Sequence, residues 1–378
     1  MKSSRRTFMQ AGLALPAAGL AFEPPAAIPY RTLGKTGLKV NPVGMGVGFT
    51  PDPSVVARAV DLGVNFFDTA NDYSNGNSER LLAQGLKGGL RNKVIVVSKT
   101  PANDRKTFFA DLESSLKNLE TDHVDIWLMH AKDKPQAAPD ELIEAGAEAR
   151  KQGKTLFFGV STHDLDSMVD RAVQTKMDVV IFSYNFTMGA ARDAAIAKAR
   201  DAGIGLVALK VMAATGGGPG FPPGGRAGRG APPARPARLQ NPLAALKWVL
   251  KNPSLAAAIP GIRDADMLET NLKALTEKFT AEDEKALTAR NEEIRPYYCR
   301  MCYRCEGQCA KGLPVPDQLR ILAYADFYND FPLARTNFQR LPQEVRAVRC
   351  SDCAACSVKC PNGVRVPERL IRAQEMLG

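Results

Sequence analysis

The first 298 residues of this 378-residue chain contain no cysteine, and all eight cysteines follow them. Thiolate or disulfide chemistry is therefore confined to the C-terminal end of the chain. With 45% hydrophobic residues, the chain can bury one large domain core of roughly 250 residues with an appendage or two. The same composition excludes a disordered or a fibrous protein.

A basic stripe interleaved with aromatic residues is also missing. Lys and Arg outnumber Asp and Glu by 50 to 40, but four Arg of this excess fall within 215–240, a stretch without acidic residues. Most of the remaining excess lies near the N-terminus and within 291–378. Nucleic-acid binding is therefore not expected.

The apolar stretch near the N-terminus, residues 11–22, is too short to span a bilayer comfortably. It follows a charged segment, so residues 1–28 are predicted to be a signal peptide. The pair Arg5-Arg6 in "SRRTFM" resembles the twin-arginine export signal, except for Met9 where Leu is commoner; an ordinary basic N-terminus is the alternative. The resemblance implies that the twin-arginine export machinery carries the folded protein to a periplasmic or otherwise exported location.

Short apolar runs alternate with longer amphipathic stretches from Tyr30 to about Asn291. Each run is typical of a strand buried on both faces, and stretches such as 105–119 and 141–154 have helical period. The pattern predicts a (β/α)8 TIM barrel over 29–293. An open doubly wound sheet is the alternative, but "GMGVGF" lacks the third glycine of a dinucleotide-binding turn. The eight runs are 43–47, 64–67, 94–97, 124–129, 156–160, 178–182, 204–209 and 256–259.

Two further segments belong to the predicted barrel. "YRTLGKTGLKV" (30–40) reads as a hairpin that turns at 35–37. The Gly/Pro/Arg tract at 215–240 follows the seventh strand and cannot form a core, so a flexible loop is expected there. Because loops after barrel strands border the active site, the tract is either a lid, a basic partner contact or an inert insertion.

Four residue types suited to carbonyl chemistry lie at the ends of consecutive predicted strands. Asp68 ends the second strand with Tyr73 in its loop, Lys99 ends the third, and His130 ends the fourth. In this set Tyr73 would exchange a proton with a carbonyl oxygen, and Lys99, held by Asp68, would stabilise the phenolate. His130 would orient the substrate oxygen. The reaction predicted is carbonyl reduction or alcohol oxidation of a small molecule.

From Tyr30 to Leu275 the chain resembles the aldo-keto reductase family, through "YRTLGKTGLKV", "FDTANDYSNG", "VSKT", "VDIWLMH", "GKTLFFGVST" and "IPGIRDADMLETNL". The family's Asp, Tyr, Lys and His tetrad falls on the four residues above. The resemblance implies NADP(H) or NAD(H) as cofactor. Several cofactor contacts differ, since Thr162, Ile181 and Leu209 replace the expected Asn, Gln and aromatic residue. The candidate cofactor-binding residues are Gly46, Ser161, Lys210 and Asn271.

The cysteines form two runs of identical C-x2-C-x2-C-x3-C spacing, at 299–309 and 350–360. A disulfide framework would not need this spacing twice, and zinc sites use cysteine pairs that lie farther apart, so the runs predict two [4Fe–4S] clusters. The segment 294–378 resembles two-cluster ferredoxins, and its separated runs resemble the mainly α-helical ferredoxin type. There the fourth cysteine of each run binds the other cluster. This implies ligand sets of Cys299, Cys302, Cys305 and Cys360, and of Cys350, Cys353, Cys356 and Cys309.

Together these features predict an exported oxidoreductase that couples carbonyl/alcohol chemistry in the barrel to electron transfer through the clusters. Its redox partner would be a membrane reductase or a cytochrome. One alternative is a conventional NADPH-dependent reductase whose clusters are structural or redox-sensing. Another is an electron-transfer or assembly subunit with a non-catalytic barrel.

Overall fold

The structure is a computed structural model that describes residues 29–216, 239–328 and 330–378. The predicted signal peptide (1–28) and most of the Gly/Pro/Arg tract (215–240) lie outside the described residues. Among the helices that are described, none has both the length and the apolarity needed to cross a membrane.

A short antiparallel hairpin opens the described chain, as predicted. Strands β1 (Arg31–Thr32) and β2 (Lys39–Val40) pair in register, and Gly37 takes the left-handed conformation at the turn with φ of 74°. Leu33, which is fully buried, lies within the hairpin and packs under the barrel beside Gly205. The hairpin therefore closes the amino-terminal end of the barrel.

Eight parallel strands form the barrel, and each overlaps one of the predicted apolar runs. They pair in chain order from β3 to β10. Isolated parallel bridges from Val43 to Ala258 and from Gly46 to Gly261 join the first of these strands to the last and close the sheet. The strands are β3 (Met45–Gly46), β4 (Phe66–Asp68), β5 (Ile95–Thr100), β6 (Val124–Met129), β7 (Thr155–Thr162), β8 (Val179–Ser183), β9 (Gly205–Leu209) and β10 (Ala257–Ile259).

Alternate side chains of the strands enter two different cores, as the period of a strand requires. Phe66, Val97 and Ile126 point into the barrel, whereas Phe67 and Trp127 point outward and pack under the surrounding helices. Because both faces are buried, the strands read as continuous apolar runs rather than alternating ones.

Helices follow the strands and cover the outside of the barrel. Several begin at a carboxylate cap, such as Asp104, whose side chain accepts from the Thr107 amide at 2.8 Å. The predicted helical stretch 141–154 corresponds to a helix at Asp140–Lys151, and Gly153 just after it has φ of 74°. The helices are α1 (Pro53–Asp61), α2 (Asn77–Gly85), α3 (Arg105–Asn118), α4 (Asp140–Lys151), α5 (Leu165–Gln174), α6 (Asp193–Asp201), α7 (Leu243–Leu250), α8 (Ala265–Leu272) and α9 (Ala281–Ile294).

The C-terminal segment is helical around its two cysteine runs. Each run is followed, six residues after its last cysteine, by a helix that begins with Val-Pro. Asp326 accepts hydrogen bonds from Arg369 and Arg372 at 2.5 and 2.7 Å, and these bonds join the two helices. The helices are α10 (Val315–Asp326), α11 (Phe331–Gln339), α12 (Gln343–Ala347) and α13 (Val366–Leu377).

Gly159 on β7 lies where β7 and β8 approach closely, so a substitution there tests how tightly these strands pack. A Cβ at this position would lie 1.9 Å from the backbone oxygen of Val179 on β8, which cannot move without breaking the sheet. We expect Gly159→Ala to lower the free energy of unfolding by about 3 kcal/mol, measured by urea denaturation. Leu156→Ala, at a 45% exposed position of the same strand, is the control and should change it by less than about 1 kcal/mol. Equal effects would contradict this packing.

Candidate functional site

Asp68 and Lys99 form a buried ion pair at the carboxyl-terminal rim of the barrel, which is the edge formed by the ends of the eight strands. Asp68 ends β4 and Lys99 lies near the end of β5, so the parallel strands bring them together. The Lys99 Nζ is 2.7 Å from Asp68 Oδ1 and donates to the Thr69 carbonyl at 2.6 Å. Both side chains are almost fully buried.

Tyr73 and His130 complete the predicted tetrad at the same rim. Lys99 Nζ lies 5.1 Å from the centroid of the Tyr73 ring, and the His130 ring meets that of Tyr73 edge-on with centroids 5.5 Å apart. His130 Nδ1 is 2.9 Å from Asp72 Oδ1. This contact orients the imidazole and leaves its Nε2 for another partner. The structure thus brings all four predicted residues together.

Asp72 is a site residue that the sequence reasoning missed, although it directly precedes Tyr73. Burial raises its pKa, but the hydrogen bond and charge of His130 outweigh burial, and the net pKa lies below the ordinary value. Asp72 is therefore a carboxylate that fixes one nitrogen of His130. The signal in the sequence that could have identified Asp72 was an acidic residue directly before the predicted catalytic Tyr73.

The pKa of Tyr73 is raised in this structure. Burial raises it well above its ordinary value, and the charges of Asp68, Asp72 and Tyr324 raise it further. Tyr73 is consequently a neutral hydrogen-bond donor near pH 7. That Lys99 stabilises the phenolate during proton transfer stays a prediction.

Three of the four candidate nicotinamide residues already have a role in the protein. Ser161 Oγ accepts from the Ala131 amide at 2.9 Å, and Lys210 Nζ donates to the hydroxyl of Tyr324 at 3.3 Å. A Cβ on Gly46 would lie 3.2 Å from Ile259 Cγ2, so strand packing explains that glycine. Asn271 is buried in α8. These residues do not by themselves define a nicotinamide site.

The C-terminal segment covers part of the rim through contacts that the sequence did not reveal. Tyr303 donates to Asp133 Oδ2 at 2.6 Å, and Asp133 Oδ2 is 2.9 Å from His163 Nδ1. Buried Arg192 donates to the Met301 carbonyl at 3.0 Å. Asn185 donates to the Tyr298 hydroxyl at 3.3 Å. The segment is therefore anchored to the ends of β6, β7 and β8.

Burial shifts the pKa values of Asp133 and His163, which lie beneath the C-terminal segment. Burial lowers the pKa of His163 to about 4, although the charge of Asp133 opposes it. For Asp133, burial raises the pKa, but His163 and the hydrogen bond from Tyr303 hold it well below the usual range. The carboxylate of Asp133 is the acceptor that attaches Tyr303 to the barrel.

The eight cysteines fall into two groups of four that mix the two runs. The first, called the proximal group because Tyr298 and Met301 bond to the barrel beside it, contains Cys299, Cys302, Cys305 and Cys360. The second, called the distal group, contains Cys350, Cys353, Cys356 and Cys309. The members of each group are close enough for a charge on one to raise the pKa of another, and none forms a disulfide.

Each group gathers four thiols, which is the number of protein ligands that a [4Fe–4S] cluster takes. Burial and the neighbouring thiolates raise the pKa of Cys299 to about 12 and of Cys305 to about 11. Four thiolates repel one another unless a cationic centre binds them. In the described residues no three Cys, His, Asp or Glu converge as single-ion ligands. A [4Fe–4S] cube binds each cysteine to a different iron and so holds the sulfurs farther apart than one ion does. The two groups therefore fit such clusters.

The fold and the relatives of the chain define a barrel oxidoreductase. A sequence profile of the Aldo/keto reductase family matches residues 52–218. An uncharacterized oxidoreductase, YrpG of Bacillus subtilis, is 30% identical over 304 residues, which cover 65% of this chain and 90% of that protein. The chain belongs to the aldo/keto reductase family and is an oxidoreductase enzyme.

Two other similarities support less about this chain. A putative voltage-gated potassium channel subunit beta of Schizosaccharomyces pombe is 31% identical over 159 residues, which cover 36% of this chain and 46% of that protein. This match spans less than half of the relative. The aldo-keto reductase AKR11C1 from Bacillus halodurans superposes with a TM-score of 0.57 over 69% of this chain and 95% of its own, at 20% identity. This similarity establishes the barrel fold alone.

The ion pair at the rim predicts a large effect of removing one partner. Asp68→Asn leaves the buried Lys99 ammonium without a carboxylate, so we expect the free energy of unfolding to fall by about 3 kcal/mol. Guanidinium denaturation with an unchanged m value would measure it. The double variant Asp68→Asn/Lys99→Met removes both charges and should recover part of the loss. A loss no larger than that of Asp61→Asn, at an exposed position in α1, would contradict the prediction.

Proposed function

We propose that the protein is an exported oxidoreductase that interconverts a carbonyl and an alcohol at the barrel rim and exchanges electrons with a partner through two [4Fe–4S] clusters. One observation carries the proposal: four cysteines drawn from both runs assemble beside the rim on which the tetrad lies, next to residues that bond to the segment following β8. The chain would consist of a signal peptide (1–28), a barrel (29–293) and a ferredoxin-like domain (294–378).

In the barrel, the tetrad would hold and polarise the carbonyl oxygen of the substrate. Tyr73 is a neutral donor to that oxygen. Asp72 holds His130 at Nδ1 and so orients the imidazole beside the same oxygen. The buried ion pair of Lys99 and Asp68 lies beside the Tyr73 ring and supports its position. Donors that are fixed in advance and directed at an oxygen where charge develops are an effective means of stabilising a transition state.

The cysteine groups would supply one-electron transfer between the barrel and the surface. The Met301 amide is 3.4 Å from Cys299 Sγ, and the Asn362 amide nitrogen is 3.3 Å from Cys302 Sγ, so the proximal group has donors of the kind that tune a cluster potential. In the distal group Cys353 is exposed. The order from rim to proximal group to distal group to solvent favours a partner, such as a membrane reductase or a cytochrome, that docks near Cys353.

The proposed export agrees with this assignment, because clusters are inserted in the cytoplasm and a twin-arginine signal would carry the folded protein with its clusters. Free NADPH is not expected outside the cytoplasm, which agrees with the engaged cofactor candidates Ser161 and Lys210. Denaturing the anaerobically purified protein and identifying the released small molecules tests for a nicotinamide. Finding none at any stoichiometry would exclude a tightly bound nicotinamide.

A second candidate is a conventional nicotinamide-dependent reductase whose clusters are structural or sense redox state. Membership of the aldo/keto reductase family favours it. It predicts NADPH oxidation with an added aldehyde that persists in Cys353→Ala. Under the first proposal, that variant instead loses electron exchange with an added acceptor dye.

Tyr73→Phe tests the barrel chemistry. The substitution removes only the hydroxyl that would polarise the carbonyl, so we expect carbonyl/alcohol turnover to fall by roughly 100-fold or more, with iron content unchanged. Turnover is measured anaerobically with a viologen dye as electron carrier and a panel of aldehydes. Tyr30→Phe, whose hydroxyl donates to Gly63 O at 2.9 Å on the hairpin side, is the control. Full activity of Tyr73→Phe would favour a non-catalytic barrel.

The mixed cysteine groups predict which substitutions act alike. Cys360→Ser should perturb the same cluster as Cys299→Ser, although 61 positions separate them, because both belong to the proximal group. Cys309→Ser should instead resemble Cys350→Ser. Iron and sulfide analysis with electron paramagnetic resonance of the reduced proteins distinguishes the two classes, and Ser351→Ala is the control. Pairing of Cys309 with Cys299 in its spectral effect would contradict the grouping.

A further inference from the structure

Helix α10 of the C-terminal segment supplies a second tyrosine to the rim. Tyr324 is 7% exposed, and its hydroxyl oxygen accepts hydrogen bonds from two cations. Lys210 Nζ donates at 3.3 Å and Arg320 Nη1 at 3.1 Å. Arg320 also donates to Asp317 at 3.0 Å, so the guanidinium is fixed on its own helix. A phenol oxygen between two cations is not needed for packing and calls for a chemical explanation.

The backbone holds Lys210 in an unusual conformation. Lys210 directly follows β9 and has φ of 58°, in the left-handed region that residues with a side chain rarely adopt. Its carbonyl accepts from Asn185 at 3.3 Å. The ammonium lies 4.6 Å from the centroid of the Tyr324 ring. Strain of this kind is concentrated at functional sites.

Two pairs of Tyr and Lys therefore lie on one rim, in opposite electrostatic states. Lys99 is offset by Asp68 at 2.7 Å and leaves Tyr73 neutral. For Tyr324, burial raises the pKa, but Lys210 and Arg320 outweigh burial and lower it to about 8. A charge on Tyr324 raises the pKa of Tyr73, so the two side chains lie near each other at the rim. One phenol is suited to donate a hydrogen bond and the other to take up a proton.

We propose that Tyr324 is a second acid/base residue of the rim, and that it exchanges the hydrogen on the carbon next to a carbonyl held at Tyr73 and His130. The substrate class is an α-hydroxy carbonyl compound. Its carbonyl oxygen would lie at Tyr73, and its neighbouring carbon and hydroxyl would face Tyr324 and Lys210.

The step balances without a cofactor. The phenolate of Tyr324 takes a proton from the α-carbon, and the electron pair of that C–H bond forms a C=C bond. The carbonyl π electrons move to the oxygen, which becomes an enolate and accepts a hydrogen bond from Tyr73 beside the imidazole of His130. Tyr324 exchanges its proton with solvent and returns one to the carbon. In D2O the net result is replacement of C–H by C–D.

This activity rests on the proposed carbonyl site at Tyr73 but on neither the clusters nor a nicotinamide. Its failure is therefore distinguishable from failure of the redox function. Exchange without dye-linked turnover would leave only the redox proposal overturned. Dye-linked turnover without exchange would overturn only the role of Tyr324.

The experiment uses the anaerobically purified full-length protein in D2O with hydroxyacetone, dihydroxyacetone or glyceraldehyde as probe. Proton nuclear magnetic resonance follows the loss of the α-hydrogen signal against a protein-free blank. We expect exchange at one of the two hydrogens of a hydroxymethyl carbon, and a decrease of about 100-fold in Tyr324→Phe. Tyr30→Phe makes the same change on the hairpin side, away from the rim, and should exchange at the wild-type rate. Equal exchange in wild type and Tyr324→Phe, or none with any probe, would overturn the proposal.

The pH profile separates a chemical role from a structural one. Exchange requires the phenolate, so the rate should rise with pH through about 8 in the wild type. In Lys210→Met one cation is lost, and the midpoint should move to higher pH. An unchanged midpoint in Lys210→Met would overturn the proposed role of that cation. The charged and titratable groups that face the Tyr324 hydroxyl are Lys210, Arg320, Tyr73, Tyr298 and Tyr328.

Discussion

Parallel closure of the barrel is the constraint on which the site depends. When eight strands run in one direction and the last pairs with the first, all their carboxyl ends meet at one rim. Residues as distant in sequence as Asp68, His130 and Lys210 are thereby placed on a single edge. The C-terminal segment uses the same edge, because its anchors Tyr298, Met301 and Tyr303 all contact residues that follow strands.

The sequence was sufficient to predict the strands and helices of the barrel, because each strand is buried on both faces and each helix on one. Those environments impose different apolar periods, so every predicted run coincides with an observed strand. The tetrad was predictable for the same reason, since strand ends are visible in the sequence and strand order fixes which ends are neighbours. The equal spacing of the two cysteine runs, repeated again in the Val-Pro starts of α10 and α13, likewise required no tertiary information.

Contacts between the barrel and the C-terminal segment could not be predicted. Tyr324 lies 114 positions after Lys210 in a helix whose apolar pattern reports only that one face is buried. No sequence period encodes which barrel residue that face meets. The raised pKa of Tyr73 could not be predicted for a related reason. The sequence places Asp68 and Lys99 near the phenol, but the burial that raises its pKa most is a property of packed side chains.

The two tyrosines show how one rim can hold two phenols whose pKa values are shifted in opposite directions. Burial alone raises both pKa values, so burial cannot be what distinguishes them. The difference lies in where the compensating charge is: a carboxylate takes up the Lys99 charge, whereas the phenol of Tyr324 itself receives Lys210 and Arg320. Arg320 and Tyr324 both belong to the C-terminal segment. The rim therefore has a tyrosine of lowered pKa only because that segment packs against the barrel. The segment thus contributes to the electrostatics of the rim as well as carrying the cysteines.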